Sequence, residues 1–295
     1  MRVLIIKTGH TETFDKSHAS LSIVSLGDVL RTTVILHLFK NDQVTWLTSP
    51  EALPLLENNS YIQNLTVTHD QLTHSKWDLV VNLEKSVEAL ELLTTIHFQK
   101  LVGFDQNSKL NHDKLMVNTN WSQKLYHLFE KDWNREKYVF FPKEKIDPKY
   151  ELGLNWKVGP KWQSKSWPFT HWENIYERVK DHHQTSWQQG FDNLNDYIRW
   201  IQSCKYLLTH DSLGLHLGLA LGKPMVALFG PTLSTEIPFE NTVVLSQSEI
   251  PEFSCPPCYQ QLCHNKIHCV GNLPVELIES HLKNLLQGTD EHSTA

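Results

Sequence analysis

Short apolar runs alternate with amphipathic stretches along most of the chain. The apolar runs have the length of buried strands and cover residues 2–6, 43–48, 77–83, 100–104, 152–158, 206–209, 225–229 and 242–245. Stretches with apolar residues at helical spacing separate them, at residues 34–39, 50–57, 87–98, 121–129, 170–181, 193–203 and 274–286. Strands that alternate with helices in this way predict an α/β fold with parallel, doubly wound sheets.

A polar linker divides this pattern near the middle of the chain. Residues 142–148 are mostly polar and carry a proline at each end, which is typical of a domain boundary. A chain of 295 residues is long enough for two domains of ordinary size. We therefore predict two Rossmann-like domains, residues 1–145 and residues 146–295, the second with a cysteine cluster at 255–269 and a C-terminal helix.

Residues 205–232 predict a strand, a capped helix and a second strand. The sequence Asp-Ser-Leu-Gly-Leu-His at 211–216 follows the first apolar run, and Gly-Lys-Pro at 222–224 ends the helix before the second. The alternating leucines from 213 to 221 would also fit a strand, but Gly214, Gly218 and Ala220 favour the helix. Asp211 or Ser212 can cap its first turn, and the exposed N–H groups there form an anion site at the carboxyl end of a strand.

Composition and charge exclude several classes of function. A hydrophobic content of 40% and a charged content of 20% are those of a globular protein, and the net charge of −6 offers no basic surface to nucleic acid. No run approaches the ~18 apolar residues of a membrane span, and the first apolar run is too short for a signal peptide. We expect a cytoplasmic protein whose membrane association is at most peripheral, at the inner face.

Four of the five cysteines form a compact set: Cys255, Cys258, Cys263 and Cys269. Four soft ligands within fifteen residues suit a structural zinc or iron ion, and they leave no ligand position open for catalysis. The alternative is four reduced thiols without metal in a substrate loop. The fifth, Cys204, is expected to serve packing alone.

Three motifs resemble those of glycosyltransferase family 9, which contains the lipopolysaccharide heptosyltransferases. Asp-Ser-x-Gly-x-His at 211–216, followed by Ala-Leu-Gly-Lys-Pro and Leu-Phe-Gly-Pro-Thr, is similar to the donor-site signature. Ser-Leu-Gly-Asp at 25–28 resembles the acceptor-side motif, and Lys-x-Trp-Pro at 165–168 the phosphate-contacting segment. In the family the acceptor-side motif follows the first strand almost at once. Here about fifteen residues intervene, an insertion of the length found in functional loops.

The resemblance covers most of the chain and implies a GT-B fold, in which two Rossmann-like domains face each other across a cleft. It implies an inverting glycosyltransferase without a catalytic metal. The donor would be a nucleotide sugar, with ADP-heptose as the leading candidate. The acceptor would be a lipopolysaccharide core or another surface glycan or glycolipid at the inner membrane face.

The family's functional residues carry over to matching positions of this chain. Asp28 would be the general base that takes the proton of the acceptor hydroxyl. By position alone, Asp28 would instead be the N-cap of a helix at residues 29–39. Arg31 would be either a contact to an acceptor phosphate or a solvated charge. The positions that correspond to the donor site are Lys165, Asp211, Ser212, Gly214, His216 and Thr232.

Each donor position also has a simpler interpretation. A lysine beside tryptophans, such as Lys165, is more often a surface residue whose stem covers apolar area. His216 would be a buried core histidine. Two further functions remain open: a nucleotide-sugar epimerase of the same fold, which would need no acceptor, and a non-catalytic glycan-binding or metal-stabilised scaffold protein.

Overall fold

The computed structural model describes residues 1–11, 23–110, 119–190, 193–238, 241–246, 257–265 and 269–287. Within these ranges the strands are β1 (Arg2–Ile6), β2 (Gln43–Leu47), β3 (Asn64–Thr66), β4 (Lys76–Asn82), β5 (His97–Gly103), β6 (Tyr150–Asn155), β7 (Thr185–Trp187), β8 (Cys204–His210), β9 (Met225–Phe229) and β10 (Thr242–Ser246). The chain divides into two compact units, Met1–Lys143 and Glu144–Ala295.

The α-helices are α1 (Leu26–Thr32), α2 (Leu53–Leu56), α3 (Val87–Thr95), α4 (Trp121–His127), α5 (Phe169–Val179), α6 (Leu194–Ser203), α7 (Leu213–Ala220) and α8 (Val275–Gln287). Short 3₁₀ helices span Thr33–Phe39, Pro50–Ala52, Gln163–Lys165, Ser234–Glu236 and Cys269–Asn272. Side chains cap several helix starts; Asn120 and Gln123, for example, form a reciprocal capping box at α4. In the described ranges no helix is long and apolar enough to cross a bilayer.

The first unit is built on a parallel sheet with the strand order β3-β2-β1-β4-β5. Ile6, at the end of the central strand, lies opposite Leu47 on one side and Asn82 on the other. The chain order reverses between β1 and β4, and open α/β sheets bind their ligands at the carboxyl ends of the strands at such a point.

The second unit has a parallel sheet with the order β10-β9-β8-β6-β7. Asn155 of β6 lies opposite Thr209 of β8, and the chain order reverses between these two strands. The residues of the central strands β8 and β9 are mostly apolar and almost fully buried, as is typical of a parallel sheet with helices on both faces. The core beneath α5 and α8 contains the large buried side chains Trp167 and Trp172.

These sheets confirm the predicted doubly wound α/β fold, and α7 confirms that the leucine-rich stretch is a helix. Two strands were missed. β3 and β7 have three residues each and lie at sheet edges, where half-exposed positions leave no apolar run to detect. The prediction of one helix over 29–39 was also wrong. α1 already begins at Leu26, and a 3₁₀ helix continues it from Thr33 to Phe39.

Candidate donor-side and acceptor-side sites

The second unit brings its predicted site residues together where the strand order reverses. Lys165 lies in the segment that follows β6, and Asp211 follows β8 directly, so the two residues meet at the carboxyl edge between neighbouring strands. They are 46 positions apart in sequence. The two neighbouring parallel strands therefore bring these residues together, at the edge of the sheet where such folds bind ligands.

A buried ion pair forms the centre of this cluster. Lys165 Nζ lies 2.5 Å from Asp211 Oδ2, and the Thr232 hydroxyl donates to the same oxygen over 2.6 Å. The side chains of Lys165 and Asp211 are only 12% and 9% exposed. Burial opposes the ionisation of Asp211, but the nearby Lys165 and His216 outweigh it and hold the pKa of Asp211 below its usual value. The simpler interpretation of Lys165 as a surface residue is therefore wrong.

The N-terminus of α7 lies beside this ion pair. Ser212 is the N-cap, and its hydroxyl accepts a hydrogen bond from Gly214 N over 3.3 Å. Asn155 Nδ2 also donates to that hydroxyl, which ties the start of α7 to the end of β6. A Cβ at Gly214 would collide with the side chains of Asn155 on β6 and Tyr197 on α6, so glycine allows α7 to approach both elements closely.

His216 is buried one turn further along α7, only 6% exposed. Like Lys165, it acts against the effect of burial and lowers the pKa of Asp211. Its position next to the ion pair gives it an electrostatic role beyond that of an apolar core residue.

A second histidine in this cluster was not found by sequence reasoning. His210 is the last residue of β8 and is fully buried, and its Nε2 accepts a hydrogen bond from Trp167 N over 2.9 Å. The detectable signal was a histidine inside an apolar strand, directly before Asp211. The Lys165–Trp167 turn is therefore held to the end of β8 at two consecutive residues.

The cysteine segment packs against the same elements. Ser164, beside Lys165, donates from its hydroxyl to Gln260 O and from its backbone to Gln261 O. Tyr259 N donates to Pro231 O over 2.8 Å, next to Thr232. The described residues 257–261 thus hold the turn that carries Lys165 to the turn that carries Thr232.

The four-cysteine metal site is not seen in the described part of the chain. Cys255 lies outside the described residues, Cys258 and Cys263 are half-buried, and Cys269 is buried. Among the described residues, no group of three or more histidine, cysteine, aspartate or glutamate side chains could hold a metal ion. Cys204 packs as expected, and burial raises the pKa of its thiol to about 12.

In the first unit, Asp28 does not occupy the N-cap position that its place in the sequence suggested. It is the third residue of α1 and only 8% exposed, while Ser25 occupies the N-cap position. Asp28 is therefore neither the cap nor an exposed carboxylate. Its Oδ1 lies 2.8 Å from Arg31, whose guanidinium lies over the Trp121 ring at 3.8 Å. Arg31 is thus no solvated charge, since it orients the carboxylate of Asp28.

A buried ion pair also lies where the strand order of the first sheet reverses. Lys7 follows β1 and Glu84 follows β4, and Lys7 Nζ lies 3.3 Å from Glu84 Oε1. The same oxygen accepts hydrogen bonds from the backbone N–H groups of Thr8 and Gly9, at 2.9 and 2.7 Å. Gly9 O in turn accepts from Ser25 N over 2.8 Å. These contacts join the two ends of the segment before α1, whose residues 12–22 lie outside the described ranges.

Comparison with known proteins finds a family match within the second unit. The model of "Glycosyltransferase family 9 (heptosyltransferase)" matches residues 190–268, the segment that contains Asp211, His216 and Thr232. Lipooligosaccharide heptosyltransferase 2 of Campylobacter jejuni is 34% identical over 92 residues, which make up 30% of this chain and 28% of that relative. These matches confirm the predicted resemblance to glycosyltransferase family 9, and the matching segment contains the donor-site motif.

Solved structures extend the likeness to the fold of the whole chain. A family 9 glycosyltransferase from Veillonella parvula superposes with a TM-score of 0.72 at 16% identity, over 98% of this chain and 97% of its own. The E. coli heptosyltransferase WaaC with ADP gives 0.67 at 14% identity, over 97% of this chain and 100% of its own. Identities this low establish the fold alone, and the predicted GT-B fold is confirmed.

Proposed function

We propose that this protein is a glycosyltransferase that moves a sugar, with inversion, from a nucleotide-sugar donor to a glycan acceptor. One observation carries the proposal. A buried ion pair between Lys165 and Asp211 lies beside the N-terminus of α7 at the carboxyl edge of the sheet, and Asp211 and α7 belong to the segment that matches family 9. ADP-heptose is the leading donor, because WaaC, which shares this fold, was solved with ADP.

The donor-side residues suit a leaving nucleoside diphosphate. Negative charge develops on the diphosphate as the sugar departs, and Lys165 supplies a positive charge that Asp211 already holds in place. Thr232 in turn holds Asp211 by donating to the same carboxylate oxygen. The first N–H groups of α7 and the Ser212 hydroxyl supply hydrogen-bond donors for phosphate oxygens. In this proposal Asp211 also receives hydroxyl groups of the sugar.

The acceptor-side chemistry needs one base. As the acceptor oxygen bonds to the anomeric carbon, the bond from that carbon to the diphosphate breaks and the hydroxyl proton passes to a carboxylate. We assign that proton to Asp28, which Arg31 orients through an ion pair of 2.8 Å. The acceptor in this proposal is a lipopolysaccharide core or related surface glycan, met at the inner face of the cytoplasmic membrane.

The test of donor binding uses calorimetry with ADP. Lys165→Ala should raise the ADP dissociation constant about tenfold or more, since it removes a charge held beside the phosphates. Lys145→Ala removes the same charge from an exposed position of the same unit and serves as the control. Equal ADP affinity in the wild type and Lys165→Ala would remove Lys165 from the donor site.

The test of catalysis uses Asp28→Asn, which keeps the size of the side chain. Transfer to an extracted lipopolysaccharide core should fall by about a hundredfold or more, while ADP affinity holds. Asp70→Asn, an exposed change in the same unit, should leave transfer unchanged. A near wild-type transfer rate for Asp28→Asn would exclude Asp28 as the base.

Conversion of the donor to an epimer without acceptor would instead identify the enzyme as an epimerase.

We also propose a structural metal ion bound by Cys255, Cys258, Cys263 and Cys269, on the strength of their thiolate chemistry and spacing. No catalytic step depends on it. Elemental analysis of protein purified without chelator should find about one zinc or iron ion per chain. Stoichiometric absence of both metals, with all four thiols titratable in the native protein, would contradict the proposal.

A further inference from the structure

The turn that carries Lys165 is attached to β8 by two neighbouring residues with different chemistry. Asp211 binds the lysine side chain, at 2.5 Å from Nζ to Oδ2. His210 binds the backbone two residues further along, by accepting the Trp167 N–H over 2.9 Å. The first contact restrains the charged end of Lys165, and the second restrains the backbone from which that side chain extends.

His210 is itself held rigidly. Its side chain is fully buried, and its ring meets Trp172 edge-on with the centroids 5.0 Å apart. Trp172 in turn packs edge-on against Trp167 at 5.5 Å, and Trp167 Nε1 donates to Leu273 O. One indole ring therefore packs against the imidazole and is itself held by a second, so Nε2 has little freedom to leave the Trp167 N–H.

The hydrogen bond also defines the protonation state of the ring. Because Nε2 accepts a backbone N–H, the imidazole is neutral and its proton lies on Nδ1. That nitrogen is buried and has no hydrogen-bond partner among the described residues. Leaving such a buried donor unsatisfied destabilises the folded state. An apolar residue at position 210 would avoid this cost. The presence of histidine there therefore indicates that the acceptor at Nε2 serves a purpose.

We propose that His210 is a positioning residue for the nucleotide-sugar donor, which fixes the Lys165–Trp167 turn so that Lys165 meets the diphosphate without rearrangement. This inference rests on the proposed function, since it assigns to Lys165 the contact with the donor. Preorganisation of a charged side chain strengthens binding, because the entropy of ordering it is lost on folding and not on binding. Burial lowers the pKa of His210 to about 3, which agrees with a ring that stays neutral in the cell.

The test compares two substitutions of different chemistry. His210→Phe keeps an aromatic ring of similar size but removes the acceptor, and it should raise the ADP dissociation constant about tenfold. His210→Gln places an amide oxygen near the former Nε2 and should restore most of the affinity. His182→Gln, at an exposed position in the same unit, is the matched control and should not change ADP binding.

A double-mutant cycle separates positioning from general loss of stability. If His210 acts through Lys165, then His210→Phe should weaken ADP binding much less in a Lys165→Ala background than in the wild type. Effects that simply multiply would overturn the proposal. So would wild-type affinity in His210→Phe, or failure of His210→Gln to recover binding when its melting temperature matches the wild type.

Nuclear magnetic resonance of the unmodified protein provides a readout that does not depend on any variant folding. The ¹⁵N shifts of His210 should show an unprotonated Nε2 and a protonated Nδ1, and the Trp167 amide should exchange slowly with solvent. The opposite tautomer would overturn the inference. Absence of ADP binding by the wild type would defeat the proposed donor first. A wild type that binds ADP together with a His210→Phe variant of equal affinity would defeat the positioning role alone.

Discussion

Replacing Asp211 by asparagine tests whether the buried ion pair is as important as its geometry indicates. The substitution keeps the size of the side chain and an oxygen for the Thr232 hydroxyl, but it leaves Lys165 without its counter-charge. Lys165 is 12% exposed and Asp211 9%, so water cannot replace the lost partner. Breaking a buried pair by removing one member costs about 3–5 kcal/mol. For a unit of this size that corresponds to a fall in melting temperature of roughly 6–20 °C.

Urea unfolding followed by tryptophan fluorescence measures this loss, since Trp162, Trp167 and Trp172 all lie near the pair in sequence or space. Asp181→Asn removes the same charge from an exposed position and should change the free energy of unfolding by less than about 0.5 kcal/mol. The double variant Lys165→Met, Asp211→Asn removes both charges and should be more stable than Asp211→Asn alone. Unfolding of Asp211→Asn and Asp181→Asn at the same urea concentration would show that the buried ion pair does not stabilise the protein.

Two further predictions concern the surroundings of the pair. The pKa of His210 is about 3 in the folded protein and about 6.5 in the unfolded chain, so the unfolded state binds more protons between those values. The free energy of unfolding should therefore decrease as the pH drops below 6.5, by up to about 1.4 kcal/mol per pH unit. Urea unfolding at pH 7 and pH 5 should show a smaller decrease in His210→Gln than in the wild type. Equal decreases would contradict the low pKa of His210. Gly214→Ala should destabilise by about 1–3 kcal/mol, because the new Cβ would lie 2.5 Å from Tyr197 Oη, whereas Gly159→Ala has open space and should be neutral in the same assay.

Sequence alone was sufficient for the features that depend on local patterns. Parallel strands buried on both faces appear as continuous apolar runs, and glycine and proline mark where α7 must end, so the sheets and this helix could be predicted. The donor-side motif could also be recognised in the sequence, because Asp211, Ser212 and His216 lie within one short segment. The short edge strands β3 and β7 could not be predicted, since three half-exposed residues carry no periodic signal.

Only the tertiary structure decided which charged residues pair with each other. Lys165 and Asp211 are 46 positions apart, and their contact exists because β6 and β8 are neighbours in the sheet. The same holds for Asp28, whose burial against Arg31 and Trp121 depends on the packing of α4 against α1. A sequence pattern records which side chains a segment buries, but a buried charge is stabilised by its partner. That partner can come from any segment that the strand order brings to the same edge of the sheet.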